Sequence, residues 1–177
     1  MPADPAAGLS IEPLGKHHDR ATFQCGESAL DDWFRHRASQ DDKRNVARVF
    51  VAVDSELGVV GFYSLSSFAL SIPDLPAEVA KKLLRYDSIP SALIGRLARD
   101  ERVRGRGIGE LLLADAITRT LSAARTMAVF AIVVDAKDER ASRFYQAFGF
   151  RPFSLRPQRL FLLAATAAAG IKGGSRT

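Results

Sequence analysis

A single cysteine, Cys25, stands among 177 residues. No disulfide can close within one chain, and no Cys/His spacing matches a structural zinc site, so no metal is expected. The longest apolar run, Leu160 to Ile171, falls short of the roughly 20 residues that a membrane-spanning helix needs. Met1 to Gly8 carries no charged segment followed by an apolar one, so no secretion leader is expected and the cytoplasm is the expected compartment. Histidine is confined to His17, His18 and His36. These read as surface residues and leave the later strands without an imidazole base. Lysine is scarce: 6 of the 25 basic residues, the other 19 being arginine.

Hydrophobic residues make up 47% of the chain, enough to bury a core. The net charge is +5, and the arginines are clustered. Arg140, Arg143, Arg151, Arg156 and Arg159 lie in an acid-free stretch. Arg96, Arg99, Arg102, Arg104 and Arg106 form a second group, and Arg35, Arg37, Lys43, Arg44 and Arg48 a third. Guanidinium groups bind phosphate in a fork, so such surfaces suit polyanions or a phosphorylated cofactor. An arginine-rich genome would produce the same count.

The length suits one domain, residues 1–177, with 1–8 and 164–177 as flexible ends. Leu9 to Leu14 reads as a strand. Ser28 and Asp31 give a capping-box start to a helix running to Asp41, with Leu30, Trp33, Phe34 and Ala38 on its apolar face. Val46–Asp54 and Val59–Phe68 read as a hairpin. A short helix, Ala77 to Leu84, and a central strand, Ser91 to Asp100, follow. The glycine-rich stretch comes next, then a helix carrying Leu113, Ile117 and Leu121. Met127–Asp135 reads as a buried strand. Asp138 caps a helix with Ala141, Phe144 and Phe148 inward and Gly149 as its stop. Phe150–Leu155 and Arg159–Leu163 are the last strands. The order implies an α/β (α+β) domain with a mixed, mainly antiparallel sheet flanked by helices.

Chemistry centres on Arg104-Gly105-Arg106-Gly107-Ile108-Gly109, between an apolar strand and an amphipathic helix. Glycines let the backbone turn tightly, and the amides that open the next helix have no intrahelical partner, which together suits a pyrophosphate. No Gly-Lys-Ser/Thr follows, so this is not a P-loop. Tyr145 and its neighbour Phe144 read from spacing alone as core aromatics. Tyr63 and Trp33 read as packing.

Arg104-x-x-Gly107-x-Gly109, followed by Ala141-x-x-Phe144-Tyr145-x-x-Phe148-Gly149-Phe150, resembles the GCN5-related N-acetyltransferases, the GNAT family. The wider set Phe23-x-Cys25-Gly26-x-x-x-Leu30-Asp31-x-Trp33-Phe34, Gly61-Phe62-Tyr63-Ser64-Leu65, Gly95-Arg96-Leu97-Ala98, Val134-Asp135-Ala136 and Arg159-Leu160-Phe161-Leu162 resembles its subgroup of toxins from bacterial toxin–antitoxin modules. The resemblance implies a GNAT fold and acetyl-CoA as cofactor. It implies acetylation of the α-amine of aminoacyl-tRNA, which stops translation. It also implies a homodimer and a ribbon-helix-helix antitoxin, with operator DNA bound through their complex. Acetylation of a small amine or a protein N-terminus is the alternative, and a non-enzymatic nucleic-acid-binding module a third reading.

On this resemblance Leu97 and Arg99 pair with the pantetheine arm. Val103, Arg104, Gly105, Arg106, Gly107, Ile108 and Gly109 cradle the phosphates. Asp138, where many family members have Asn, and Phe144 also face the cofactor. Tyr145 becomes the general acid for the departing thiolate. An α-amine, with a pKa of roughly 7.7–8.0, needs no dedicated base near neutrality. Arg35, Arg37, Lys43, Arg44, Arg140, Arg143 and Arg159 are the candidate tRNA contacts.

Overall fold

The computed structural model describes residue 4 and residues 6–174. The chain forms two compact units, each assembled from two stretches of sequence. One holds the chain up to Ser66 together with Gly95–Ala116, the other Ser67–Ile94 and the chain from Ile117 on. Three elements run from one unit into the other: strand β3 (Gly58–Ser71), strand β4 (Ser88–Arg99) and helix α4 (Ile108–Ala123).

In the first unit β1 (Leu9–Pro13) pairs antiparallel with β2 (Arg48–Asp54), and β2 with β3. The hairpin turn is fixed by Asp54, whose Oδ1 accepts the amides of Glu56 (2.8 Å) and Leu57 (3.0 Å). Gly58 follows at φ +78°, a conformation that costs a side chain dearly. The core joins Phe23, Trp33, Phe34, Val49, Val51 and Phe62. Phe34 stacks on Phe62 with centroids 4.1 Å apart.

The expected first helix is two helices, α1 (Ser28–His36) and α2 (Ala38–Lys43), broken at Arg37. The break turns Ala38, fully buried, into the core and brings Asp41 under the Trp33 indole, which donates to it at 2.8 Å. The apolar spacing continues across the bend, which is why the sequence reads as one helix. The capping box is absent as well. Glu27 holds the N-cap position without a side-chain capping bond, and the buried Asp31 accepts the Cys25 amide at 2.9 Å.

In the second unit β4 pairs parallel with β5 (Ala131–Asp135), which pairs antiparallel with β7 (Arg159–Leu163), and β7 with the short β6 (Arg151–Pro152). The core joins Leu70, Leu75, Val133, Phe153 and Phe161. Helices α3 (Ala77–Ala80) and α5 (Glu139–Ala147) complete the element order with α6 (Ala164–Gly174). β5 starts four residues later than its apolar run suggests. Thr126 and Met127 still donate to Ala123 O at the end of α4, and Met127 is 75% exposed.

Both ends differ from a loose tail where they are described. Ala6 to Gly8 form a turn, with Gly8 O accepting the Ser55 amide at 2.8 Å. Ala164–Gly174 are helical because alanine loses no side-chain entropy in a helix. The Ala164 amide donates to Phe130 O at 2.9 Å. Residues 1–3, 5 and 175–177 of those expected ends lie outside the described residues.

Candidate active site

Two constellations carry chemistry, one in each unit. In the first unit β4 ends at Arg99, and Asp100 caps a single 3-10 turn, Glu101–Val103. Asp100 is 1% exposed. It accepts from the Arg102 amide and Nε, both at 2.9 Å, and from the Gln24 amide at 3.1 Å. Burial pushes its pKa up, but the Arg102 bonds and the Gln24 amide outweigh that and hold it below the usual carboxylate range. The strand end is therefore fixed. From it the chain turns through Gly105 (φ +79°) and Gly107 (φ +77°) into α4. Leu111 N donates to Gly107 O at 3.2 Å. The amides of Ile108, Gly109 and Glu110 precede that first bond and are the ones left for a ligand. Val103 and Ile108 are fully buried and anchor the turn from both sides. A Cβ on Gly61 would sit 2.9 Å from Leu112, 3.3 Å from Ala98 O and 3.4 Å from Ile108, so a side chain there would crowd β4 and α4.

The arginines flanking Gly105 separate in role. Arg106 is taken by Asp54 at 3.0 Å, whose carboxyl is held low by the Leu57 and Glu56 amides and by Arg106 itself. Arg104 is exposed, and its guanidinium has no ion pair among the described residues. A positive helix end, three amides without helical partners, two glycines at positive φ and one free guanidinium form a donor set that fits a pyrophosphate.

In the second unit Asp138 caps α5, its Oδ1 accepting the Ala141 amide at 2.8 Å. Gly149, at φ +93°, stops the chain after the helix. The inward face is one position away from the expected one. Ser142 and Tyr145 are buried, while Ala141, Phe144 and Phe148 are half-buried. Tyr145 is 8% exposed and packs edge-on against Phe144 and Phe150, at 5.2 and 5.7 Å. Burial, with a smaller contribution from the charge of Asp135, pushes its phenol up to about 12. The phenol therefore stays protonated at any physiological pH.

A model of the acetyltransferase (GNAT) domain matches residues 45–152, a span holding both the glycine turn and Tyr145. The chain belongs to the GNAT acetyltransferase family. It is an acetyltransferase. A probable toxin TacT from Sinorhizobium fredii is 35% identical over 170 residues, 91% of this chain and 94% of the relative. A tRNA-acetylating toxin from Mycobacterium tuberculosis is 38% identical over 151 residues, 85% of this chain and 89% of the relative. Among solved structures, AtaT complexed with acetyl-methionyl-tRNAfMet superposes with a TM-score of 0.85 at 28% identity, covering 92% of this chain and 99% of that one. AtaTR bound with acetyl-CoA (0.81, 27% identity; 93% and 99%) and a KacTA–DNA complex (0.78, 25% identity; 93% and 99%) resemble it too.

Within this GNAT framework the remaining residues divide by what already holds them. Leu97 and Arg99 lie half-buried at the end of β4. Arg37, Lys43, Arg44 and Arg140 are exposed, with no ion pair for their side chains among the described residues. Arg143 meets only Glu139, at 3.9 Å across exposed solvent. Two others are spoken for. Arg35 donates through Nε and Nη2 to Phe23 O, and Arg159 grips both oxygens of Asp135, at 2.7 and 3.0 Å.

Three features escaped the sequence reading. His18 is buried, not superficial: its Nδ1 accepts the Gly15 amide at 2.8 Å, and its Nε2 bonds Glu12 at 2.6 Å. Tyr63 is fully buried, in keeping with packing, but its hydroxyl also donates to Asp115, a bond the packing reading does not contain. Asp135 raises the phenol of Tyr145 and holds Arg159. Its sequence signals were its place at the end of an apolar strand and within the Val134-Asp135-Ala136 match, neither of which named a partner.

Proposed function

We propose that this chain is a toxin that transfers the acetyl group of acetyl-CoA to the α-amine of aminoacyl-tRNA and so blocks translation. The observation that carries the reading is similarity along nearly the whole chain to a tRNA-acetylating toxin, in a protein that keeps both the glycine turn and Tyr145. The amides of Ile108, Gly109 and Glu110, with Arg104, bind the pyrophosphate. The main chain of Leu97 and Arg99 lines up the pantetheine arm, beside Phe144. Asp138 acts on the cofactor through the helix start it caps. When bound, acetyl-CoA supplies the activated acyl group as a thioester.

Tyr145 holds the proton that the departing sulfur needs. A phenol near 12 facing a thiol of roughly 8.5 in water would leave a gap of about 5 kcal/mol. A thiolate in the same apolar surroundings is itself destabilised, which narrows that gap. The proton therefore passes as the C–S bond breaks, not before. The amine needs no base because a free α-amine is partly neutral near pH 7.

Residues 1–177 act as one acetyltransferase domain, working in the cytoplasm. A ribbon-helix-helix antitoxin neutralises the toxin, operator DNA is bound through their complex, and the toxin works as a homodimer. Arg37, Lys43, Arg44, Arg140 and Arg143 meet tRNA phosphates. Incubation with labelled acetyl-CoA and total charged tRNA tests the acceptor. Label released with the amino acid on mild alkaline hydrolysis supports the reading. Label found only on small amines or protein N-termini overturns it.

A further inference from the structure

An open depression of about 640 Å³ lies at the C-terminal end of β5, lined by Asp135, Ala136, Glu139, Arg156, Gln158 and Arg159. Asp135 and Arg159 face each other in the β5–β7 register. The guanidinium of Arg159 holds both carboxylate oxygens and also lies 5.0 Å above the Phe68 ring. Two bonds from Arg159 hold the carboxylate, yet its side chain is 54% exposed and lines the depression. The floor is closed by the Ala136 amide, which donates to Gln158 O at 2.8 Å. The rim is a turn in which Arg159 N donates to Arg156 O at 2.9 Å. Arg156 sits exposed at its start, with no partner for its guanidinium among the described residues.

An acceptor held by Arg159 and a guanidinium without a partner among the described residues line one depression, a pairing that suits a ligand carrying both an amine and a phosphodiester. The volume lies in the usual range for small-molecule sites, about 300–1,000 Å³. We propose that this depression seats the aminoacyl end of charged tRNA, Asp135 accepting a hydrogen bond from the α-amine and Arg156 holding the terminal phosphodiester. The assignment rests on the acceptor proposed above. Because Arg159 already shares the charge of Asp135, the carboxylate orients the amine without locking it as ammonium. Asp135 ends β5, three residues before Asp138, which caps the helix that carries Tyr145.

The test uses the full chain with purified charged tRNA. Without acetyl-CoA, the wild type should bind aminoacyl-tRNA about 10-fold more tightly than tRNA carrying the matching des-amino acid, the size of one charge-assisted hydrogen bond. Asp135→Ala, which removes the acceptor, should bind the two alike and raise the KM for charged tRNA, with an unchanged acetyl-CoA affinity reporting that the unit is folded. Arg156→Ala keeps the Asp135–Arg159 pair, so its fold is safe. Its salt slope for tRNA binding should fall by about 0.7, one single-strand phosphate contact. A persisting preference for the amine in Asp135→Ala overturns the role of Asp135, and an unchanged slope in Arg156→Ala overturns that of Arg156. A wild type that acetylates no charged tRNA brings down the acceptor reading itself, a result distinct from these.

Discussion

Gly105 and Gly107 stand at φ +79° and +77° in a turn that leads into amides without helical partners. Tyr145 is a side chain nearly removed from water, with its phenol raised to about 12. The first device depends on having no side chain, the second on what surrounds one. Substitution should therefore act abruptly at the turn and in a graded way at the tyrosine.

The largest effect is expected at the turn. Gly107→Glu combines a backbone conformation that costs an L-residue about 1–2 kcal/mol with an anion placed where phosphate binds. Acetyl-CoA binding should disappear in calorimetry on a folded mutant. Retained affinity would reduce the glycines to a mere bend.

Tyr145→Phe keeps the packing against Phe144 and Phe150 and removes only the hydroxyl. Turnover should fall about 10²–10⁴-fold, as expected for general acid catalysis, with cofactor affinity held. Near-normal turnover would remove the tyrosine from the mechanism. The same variant reads the burial. The phenol's folded pKa lies above its unfolded value of about 10, so the associated stability is present below that pH and lost as pH rises toward about 12. It amounts to at most about 3 kcal/mol. The variant should lack this alkaline loss in chemical denaturation.

The arginines sharpen the contrast within the turn. Arg104→Ala should weaken acetyl-CoA about 10-fold, the scale of one charge-assisted bond. Arg106→Ala should change affinity less and lower the melting temperature, because that side chain is held by Asp54. Equal affinity losses would mean that Arg106 leaves Asp54 for the ligand.

The smallest effects concern the basic surface. Reversing Arg37 and Arg44 together should flatten the salt dependence of tRNA acetylation and leave the melting temperature nearly unchanged. Arg35→Ala should do the opposite, since that guanidinium is tied to Phe23 O. A lower salt slope in Arg35→Ala would show that it leaves its intramolecular bond for tRNA.

Local chemistry was legible in the chain alone. The glycine turn, the Asp138 cap, the Gly149 stop, the hairpin and the strand–helix order all follow from residue types at short spacing, because backbone conformation and capping are local. What pairs with what was not. That Arg35 and Arg159 are held while Arg37 and Arg156 have no ion pair among the described residues, that the first helix bends at Arg37, and that His18 is buried on Glu12 all depend on contacts beyond the helix and strand spacings that the sequence pattern reads. Charge and burial are set by whichever group packing places alongside, and a phenol's proton affinity follows from that placement rather than from its neighbours along the chain.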